Sequence, residues 1–255
     1  MSILESRVAV GPADDPRSGI CLDLLDGFHL KVDSEPLEVP DNPQRLVAFV
    51  ALRRRPVCRA LVAGTLWPEK TESRASANLR SSLWRLNGAS PRPPITCSGA
   101  SLMLNPEVRL DVAALERHGW ALLEGPTNPG TRPPPDFFSK ELLPGWYEDW
   151  VVAERDRLGQ LQIRFLEAFV HHLRELGEFA RAIDQAMRLV AIDPLRERSQ
   201  LALIRVLVDE GSWGRAQWQA DHYCQLLDNA FGRSASRGFV SAHRRFFPIG
   251  RVLAP

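Results

Sequence analysis

The sequence predicts an α+β unit followed by an all-α unit. Three observations carry that expectation. Two short alternating stretches flank Asp26-Gly27, three helical periods lie between Asp41 and Asn87, and a 34-residue internal repeat follows Phe137.

Length and composition set the frame. A chain of 255 residues accommodates two domains or one large one. A hydrophobic share of 44% with 25% charged residues belongs to an ordinary soluble globular protein. No apolar run approaches the ~20 residues of a membrane helix. The opening MSILESRVAVGPADDPRSG has early charge and no apolar core of the signal-peptide kind. A cytoplasmic protein with no membrane partner is expected. Cys21, Cys58, Cys97 and Cys224 lie far apart with no CxxC, so small buried thiols are expected rather than a zinc site or disulfides. The formal net charge of +1 hides a segregation. Residues 41–100 hold ten basic and three acidic residues, a balance of +7 that leaves −6 for the remainder. A basic module joined to an acidic one points to a polyanion partner for the first.

Residues 1–18 read as a flexible lead and residues 19–108 as the first domain. Ile20–Leu25 and Phe28–Val32 alternate apolar and polar about Asp26-Gly27, a hairpin signal. Leu37-Glu38-Val39 is expected as a third short strand. Asp41-Asn42-Pro43 starts a first helix with Leu46, Val47, Phe49 and Val50 inward, and Arg53-Arg54-Arg55-Pro56 ends it. A second runs from about Cys58 to Leu66 with Leu61, Val62 and Leu66 inward. A third covers Ser73–Asn87. Beyond Pro91, Pro93 and Pro94, Ile95–Cys97 and Ser101–Leu104 read as a hairpin with its tip at Ser98-Gly99-Ala100. Three helices and then a hairpin, behind a small sheet, is the order of a winged helix-turn-helix of the response-regulator type.

Residues 109–255 are expected to form an all-α, tetratricopeptide-like second domain. Asp111–Leu123 is amphipathic, with Val112, Leu115, Trp120 and Leu123 on one face. Residues 124–136 hold five prolines and two glycines and read as a loop. Gly177-Glu178-Phe179-Ala180-Arg181-Ala182 recurs 34 residues on as Gly211-Ser212-Trp213-Gly214-Arg215-Ala216, the tetratricopeptide period. In each copy Gly ends one helix, an aromatic packs in the turn, and Ala admits the next helix. Ala186 and Ala220 repeat the small residue a turn later. Two repeats need capping helices, expected around Trp146–Leu176 and Arg233–Phe247.

The third helix has two faces. At about 100° per residue, Ala75, Leu79, Leu83 and Leu86 form a narrow apolar stripe. Arg74, Ala77, Ser81, Trp84 and Arg85 fall opposite, with Asn78 and Arg80 on the flanks. A helix in a DNA major groove needs such a face: arginines for phosphates and guanine edges, Asn for adenine, and small residues where the backbone approaches. A solvated basic helix is the competing description.

Three stretches resemble the SARP (antibiotic regulatory protein) family of transcriptional activators in its small form. Pro43-Gln44-Arg45 through Val57-Cys58-Arg59-Ala60-Leu61 to Leu66-Trp67-Pro68 is similar to that family's first two DNA-binding helices. Ala75-x-x-x-Leu79-x-x-x-Leu83-Trp84-Arg85-Leu86 resembles its recognition helix. Residues 142–158, Leu-Leu-Pro-Gly-Trp-Tyr-Glu-Asp-Trp-Val-Val-Ala-Glu-Arg-Asp-Arg-Leu, resemble the entry to its bacterial transcriptional activation domain, continued by Ala191–Glu197. Cys58 stands where the family commonly has a capping Ser, and Ala60 where an acid is frequent. The resemblance implies binding to promoter direct repeats, a homodimer at least on DNA, and recruitment of RNA polymerase through the principal sigma factor. It also implies control of secondary-metabolite (antibiotic) genes. Arg85 matches an arginine of the family's recognition helix. The phosphate loop GxxxxGK[ST] of the family's larger members does not occur in the sequence, so no nucleotide cofactor is expected.

The candidate DNA-binding residues are therefore Arg74, Asn78, Arg80, Ser81, Trp84 and Arg85, with Arg53, Arg54 and Arg55 of the first interhelical loop and Ser98 and Ser101 of the wing. Asn78 reads adenine or simply hydrates. Trp84 enters the groove or packs against the wing or first helix. Arg53–Arg55 serve phosphate, polymerase or solubility. Trp146, Tyr147, Trp150, Phe179, Trp213 and Trp218 are expected in the helical core. His171, His172, His222 and His243 are expected at the surface or hydrogen-bonded. No catalytic or metal constellation stands out, so an enzyme is not expected. The alternative is a protein-interaction scaffold or repressor with weak or non-specific DNA binding.

Overall fold

A computed structural model of the chain describes residues 19–124, 136–232 and 234–247. The expected lead at 1–18 and most of the proline-rich loop at 124–136 lie outside the described residues. The chain divides into two compact units: residues up to Ala114 with Glu141–Val152, and Leu115–Lys140 with the chain from Ala153 onward.

The first unit begins with β1 (Ile20–Asp23) and β2 (His29–Val32), antiparallel with Ile20 opposite Val32. The third strand, β3, is Glu35–Pro36 and not Leu37–Val39. Asp33 and Ser34 both take positive φ, 51° and 70°, which closes a two-residue turn and brings the next strand in at once. Asp33 Oδ1 accepts the Gly19 N–H at 3.0 Å and pins that turn. Then come α1 (Asp41–Arg53), β4 (Val57–Cys58), α2 (Arg59–Leu66) and α3 (Glu72–Ala89). The hairpin is β5 (Ile95–Ser98) and β6 (Ser101–Leu104), followed by β7 (Val108–Leu110). One sheet has the order β3-β2-β1-β7, with β7 parallel to β1; the other is β4-β6-β5.

Leu46, Val47, Phe49 and Val50 of α1 are fully buried, as their spacing predicts. Burial of such side chains contributes about 1.5–3 kcal/mol each. Leu61 is the exception in α2: it is half exposed, while Val62, Ala63 and Leu66 face inward. With only eight residues, α2 buries a narrow stripe, and Leu61 falls beside it. Glu141–Val152 joins this core. Trp150 sets its edge on Phe49, with centroids 5.2 Å apart, and Arg45 Nε donates to Glu148 at 2.7 Å.

The second unit is helical, with a 3-10 turn at Phe137–Ser139. It is built on α4 (Asp111–Glu124) and α5 (Asp149–Glu175), which both begin in the first unit, then α6 (Phe179–Ile192), α7 (Glu197–Glu210), α8 (Trp213–Phe231) and α9 (Arg237–Phe246). The repeat residues Ala182, Ala186, Ala216 and Ala220 are fully buried, letting α6 and α8 approach α7 closely. Gly177 and Gly211 end their helices at positive φ, 72° and 89°. Gln219 donates to Gln200 at 2.7 Å inside this packing. The Tyr223 hydroxyl donates to Leu195 O at 3.3 Å, and burial pushes its pKa up to about 12.

Several expectations about the core are corrected. Trp120 and Leu123 are 45% exposed, because the buried stripe of α4 runs through Leu115 and Gly119 instead. Tyr147, Trp213 and Trp218 are exposed and not core, since nothing among the described residues covers their outer sides. Trp146, Trp150 and Phe179 are half-buried. None of the cysteines is buried: Cys58 and Cys97 are exposed, Cys21 and Cys224 partly so. The acidic surplus does not reside in the helical half either. The second unit holds eighteen basic against fifteen acidic residues, whereas residues 1–40 hold eight acidic against three basic.

His243 is neither at the surface nor satisfied. It is 3% exposed, packs 4.7 Å from Phe247, and its Nε2 has no hydrogen-bond partner among the described residues. Burial lowers its pKa, with Asp221 pulling weakly the other way. Its neutral form is therefore the folded one. The stability it contributes is complete above the ordinary histidine pKa of ~6.5 and is lost as pH falls through the lower folded value. The denaturant midpoint is expected to drop between pH 7.5 and 5, and the drop to shrink in His243→Phe. An unchanged drop in that variant would refute the assignment.

Candidate nucleic-acid interface

The apolar stripe of α3 is what seats the helix. Ala75, Leu79, Leu83 and Leu86 are at most 7% exposed and pack on α1 and α2. The opposite face is solvent-exposed at Arg74, Ala77, Arg80, Ser81, Trp84 and Arg85, with Asn78 half-buried at its flank. Among the described residues Arg74, Arg80 and Arg85 have no carboxylate within ion-pair distance. Trp84 is 75% exposed, so it packs against neither the hairpin nor the first helix. Ser82, one residue from the expected Ser81, turns inward and is buried.

The basic loop after α1 is also exposed. Arg54 closes the helix at φ 52°, and Arg53 lies over the Phe49 ring at 4.7 Å, which holds its charge close to the domain surface. Two other members of the basic segment are engaged internally. Arg45 serves Glu148 and donates to Leu66 O at 3.1 Å; Arg92 pairs with Asp33 at 3.1 Å. The pool of cations free to meet a polyanion is smaller than the composition suggests.

The hairpin tip turns at Gly99-Ala100, with Gly99 at φ 55° and Ser98 opposite Ser101. Ser98 is exposed and Ser101 half-buried. The tip is sewn to the start of α2. Val57 and Cys58 pair with Leu102 and Ser101, and the Arg59 N–H donates to Ala100 O at 2.8 Å. Cys58 caps α2, its Sγ accepting the Leu61 N–H at 3.4 Å. Arg59 therefore stands at a helix start beside the hairpin, a position suited to phosphate. It is absent from the candidates named from sequence. Its place in the basic segment, at the first residue of a helix, is the signal that could have found it.

This arrangement presents guanidinium groups, a hydroxyl, an amide and an indole on one helix face, with a basic loop and a hairpin in the same unit. Among the described residues no group of His, Cys, Asp or Glu could hold a metal ion.

Comparison with known proteins adds three findings. The family model described as bacterial transcriptional activator domain matches residues 113–246. Among solved structures, Mycobacterium tuberculosis EmbR in complex with a low-affinity phosphopeptide matches with a TM-score of 0.71 at 17% identity. The match covers 90% of this chain, which spans 65% of the EmbR chain, and at that identity it speaks for the fold alone. No curated protein matches.

Proposed function

We propose, on the premise that the chain belongs to the bacterial transcriptional activator domain family, that it is a DNA-binding transcription activator of the SARP kind. On this reading it acts by binding and not by catalysis. The first unit acts as a winged helix-turn-helix. Its α3 lies in the major groove, Arg74, Arg80 and Arg85 meet guanine edges and phosphates, Asn78 and Ser81 read from the same face, and Trp84 supplies an apolar surface for thymine methyls. Arg53, Arg54, Arg55 and Arg59 meet phosphates, and Ser98 and Ser101 place the hairpin along the backbone. The helical unit contacts RNA polymerase. Binding to direct repeats as a dimer, contact with the principal sigma factor, and service to secondary-metabolite genes follow from the resemblance of residues 43–68, 75–86 and 142–158.

The observation that carries this reading is the single face of α3. Its three arginines are exposed and unpaired by acids among the described residues, while its other face is buried in the domain.

The test is a mobility-shift titration on a promoter fragment carrying direct repeats. Each lost bidentate contact costs about 1–3 kcal/mol. Arg74→Ala with Arg85→Ala is therefore expected to weaken specific binding by roughly two orders of magnitude, at unchanged thermal stability. With about six phosphates neutralised, log K against log[salt] falls with a slope of about −5. Unchanged binding in the double variant refutes the assigned face. Equal affinity for promoter and random DNA at ~0.15 M salt favours the interaction scaffold instead.

A further inference from the structure

The helical unit carries a groove of about 380 Å³ between α5, α7 and α9. Its walls are built at helical spacing. Val170, His171 and Arg174 line it from α5; Arg198, Leu201, Ala202 and Arg205 line it from α7. Ala242 and Phe246 close it from α9. Two walls repeating at i, i+3, i+4 and i+7 make a trough about two helical turns long, floored by apolar side chains.

Its charge is one-sided. Glu167 is the acid at the groove, and Arg196 engages it at 2.9 Å. Arg174 is held by Asp209 at 3.2 Å. Arg198 has no acidic partner among the described residues, and Arg205 rests only on the Phe246 ring, 5.5 Å from its centroid. Helix α9 contains no acid, and its Arg237, Arg244 and Arg245 line a separate hollow rather than this groove. Elsewhere in the unit, Arg157, Arg181 and Arg188 are each paired with a carboxylate.

We propose that this groove docks an acidic amphipathic helix of a partner protein. The apolar floor takes a stripe of hydrophobic side chains at i, i+3 or i+4 and i+7, and Arg198 and Arg205 meet the carboxylates flanking it. The site needs nothing from α3. It stands apart from the DNA-binding reading and fails separately from it.

The test pans the full-length chain with phage displaying random 16-residue peptides. The best binder is then resynthesised with a fluorophore and titrated by anisotropy. Enriched peptides are expected to be net acidic with apolar residues at the stated spacing. Affinity is expected to fall at least tenfold in Arg198→Glu with Arg205→Glu, and when the peptide's acids become lysines. Arg215→Glu, on α8 outside the groove, keeps affinity within twofold. Ala202→Trp fills the floor without changing charge and abolishes binding, which decides the matter if the charge reversals disturb folding. Promoter binding is unchanged in all three variants. No enrichment, enrichment of neutral or basic peptides, or acidic binders indifferent to the Arg198, Arg205 and Ala202 substitutions would overturn the proposal.

Discussion

Asp111→Ala is expected to destabilise the first unit by about 3 kcal/mol, measured by urea unfolding followed through tryptophan fluorescence. Asp111 is the first residue of α4, directly after β7. Its Oδ2 accepts the Leu24 N–H at 2.9 Å and the Leu25 N–H at 2.8 Å, and its Oδ1 accepts the Val112 N–H at 2.6 Å. Leu24 and Leu25 are buried just beyond the end of β1. With the carboxylate gone, backbone donors in a largely dry corner lose their acceptor, and each such loss costs about 1–3 kcal/mol. Asp111→Asn keeps the shape but turns one acceptor into a donor, so it falls between. Burial raises the Asp111 pKa, the three backbone N–H groups pull it back down, and Asp23 adds a smaller upward push. The folded carboxyl thus holds its proton more strongly than the unfolded one. Its pH-linked stabilisation is present below the ordinary carboxylate pKa and is lost as pH rises through the folded value. The stability advantage of the native chain over the Asp111→Asn variant should therefore be larger at pH 4 than at pH 7. A loss under 1 kcal/mol in Asp111→Ala would show that water replaces the carboxylate.

The long periodic elements are the part of the fold legible in the sequence. The stripe of α3, the buried face of α1 and the alanines of the 34-residue repeat each rest on four or more spaced residues, and each is buried as its spacing requires, whereas the repeat's turn aromatics Phe179 and Trp213 are not. The short strands are not legible. β4 and β7 hold two and three residues, too few for alternation to show, and they exist only through partners far along the chain at Leu102 and Ile20. β3 escapes its expected place because Asp33-Ser34 makes a positive-φ turn without glycine. Periodicity also says which residues share a face, but not whether another element covers it; hence the misassignment of Trp120, Trp213 and Trp218. In the candidate interface, the faces of Arg74, Arg80 and Arg85 are readable from helical angle alone. The exposure of Trp84 and the place of Arg59 are not, since both depend on the hairpin that α2 and β4 hold.

The second large effect is expected at Gly119, in the middle of α4. Its backbone is helical, so the residue serves by its size rather than its conformation. By propensity alone, Gly119→Ala should stabilise the helix by about 1 kcal/mol. The expected result is the opposite, a loss of about 3 kcal/mol in the second unit, because a Cβ there would land on the Phe165 ring. That ring has no room to retreat. Phe165 is fully buried, with Trp120 at 5.4 Å and Phe138 at 6.0 Å between centroids, and Phe138 in turn abuts Phe169. The cause can be separated from a general intolerance of substitution in α4. Phe165→Leu alone opens a cavity and costs about 1–3 kcal/mol. Combined with Gly119→Ala, it frees the space the new methyl requires, so the double variant is expected to be more stable than the two single losses would add up to. Strict additivity in that cycle, or a stabilised Gly119→Ala, would mean that α4 shifts along the aromatic cluster instead of being held by it.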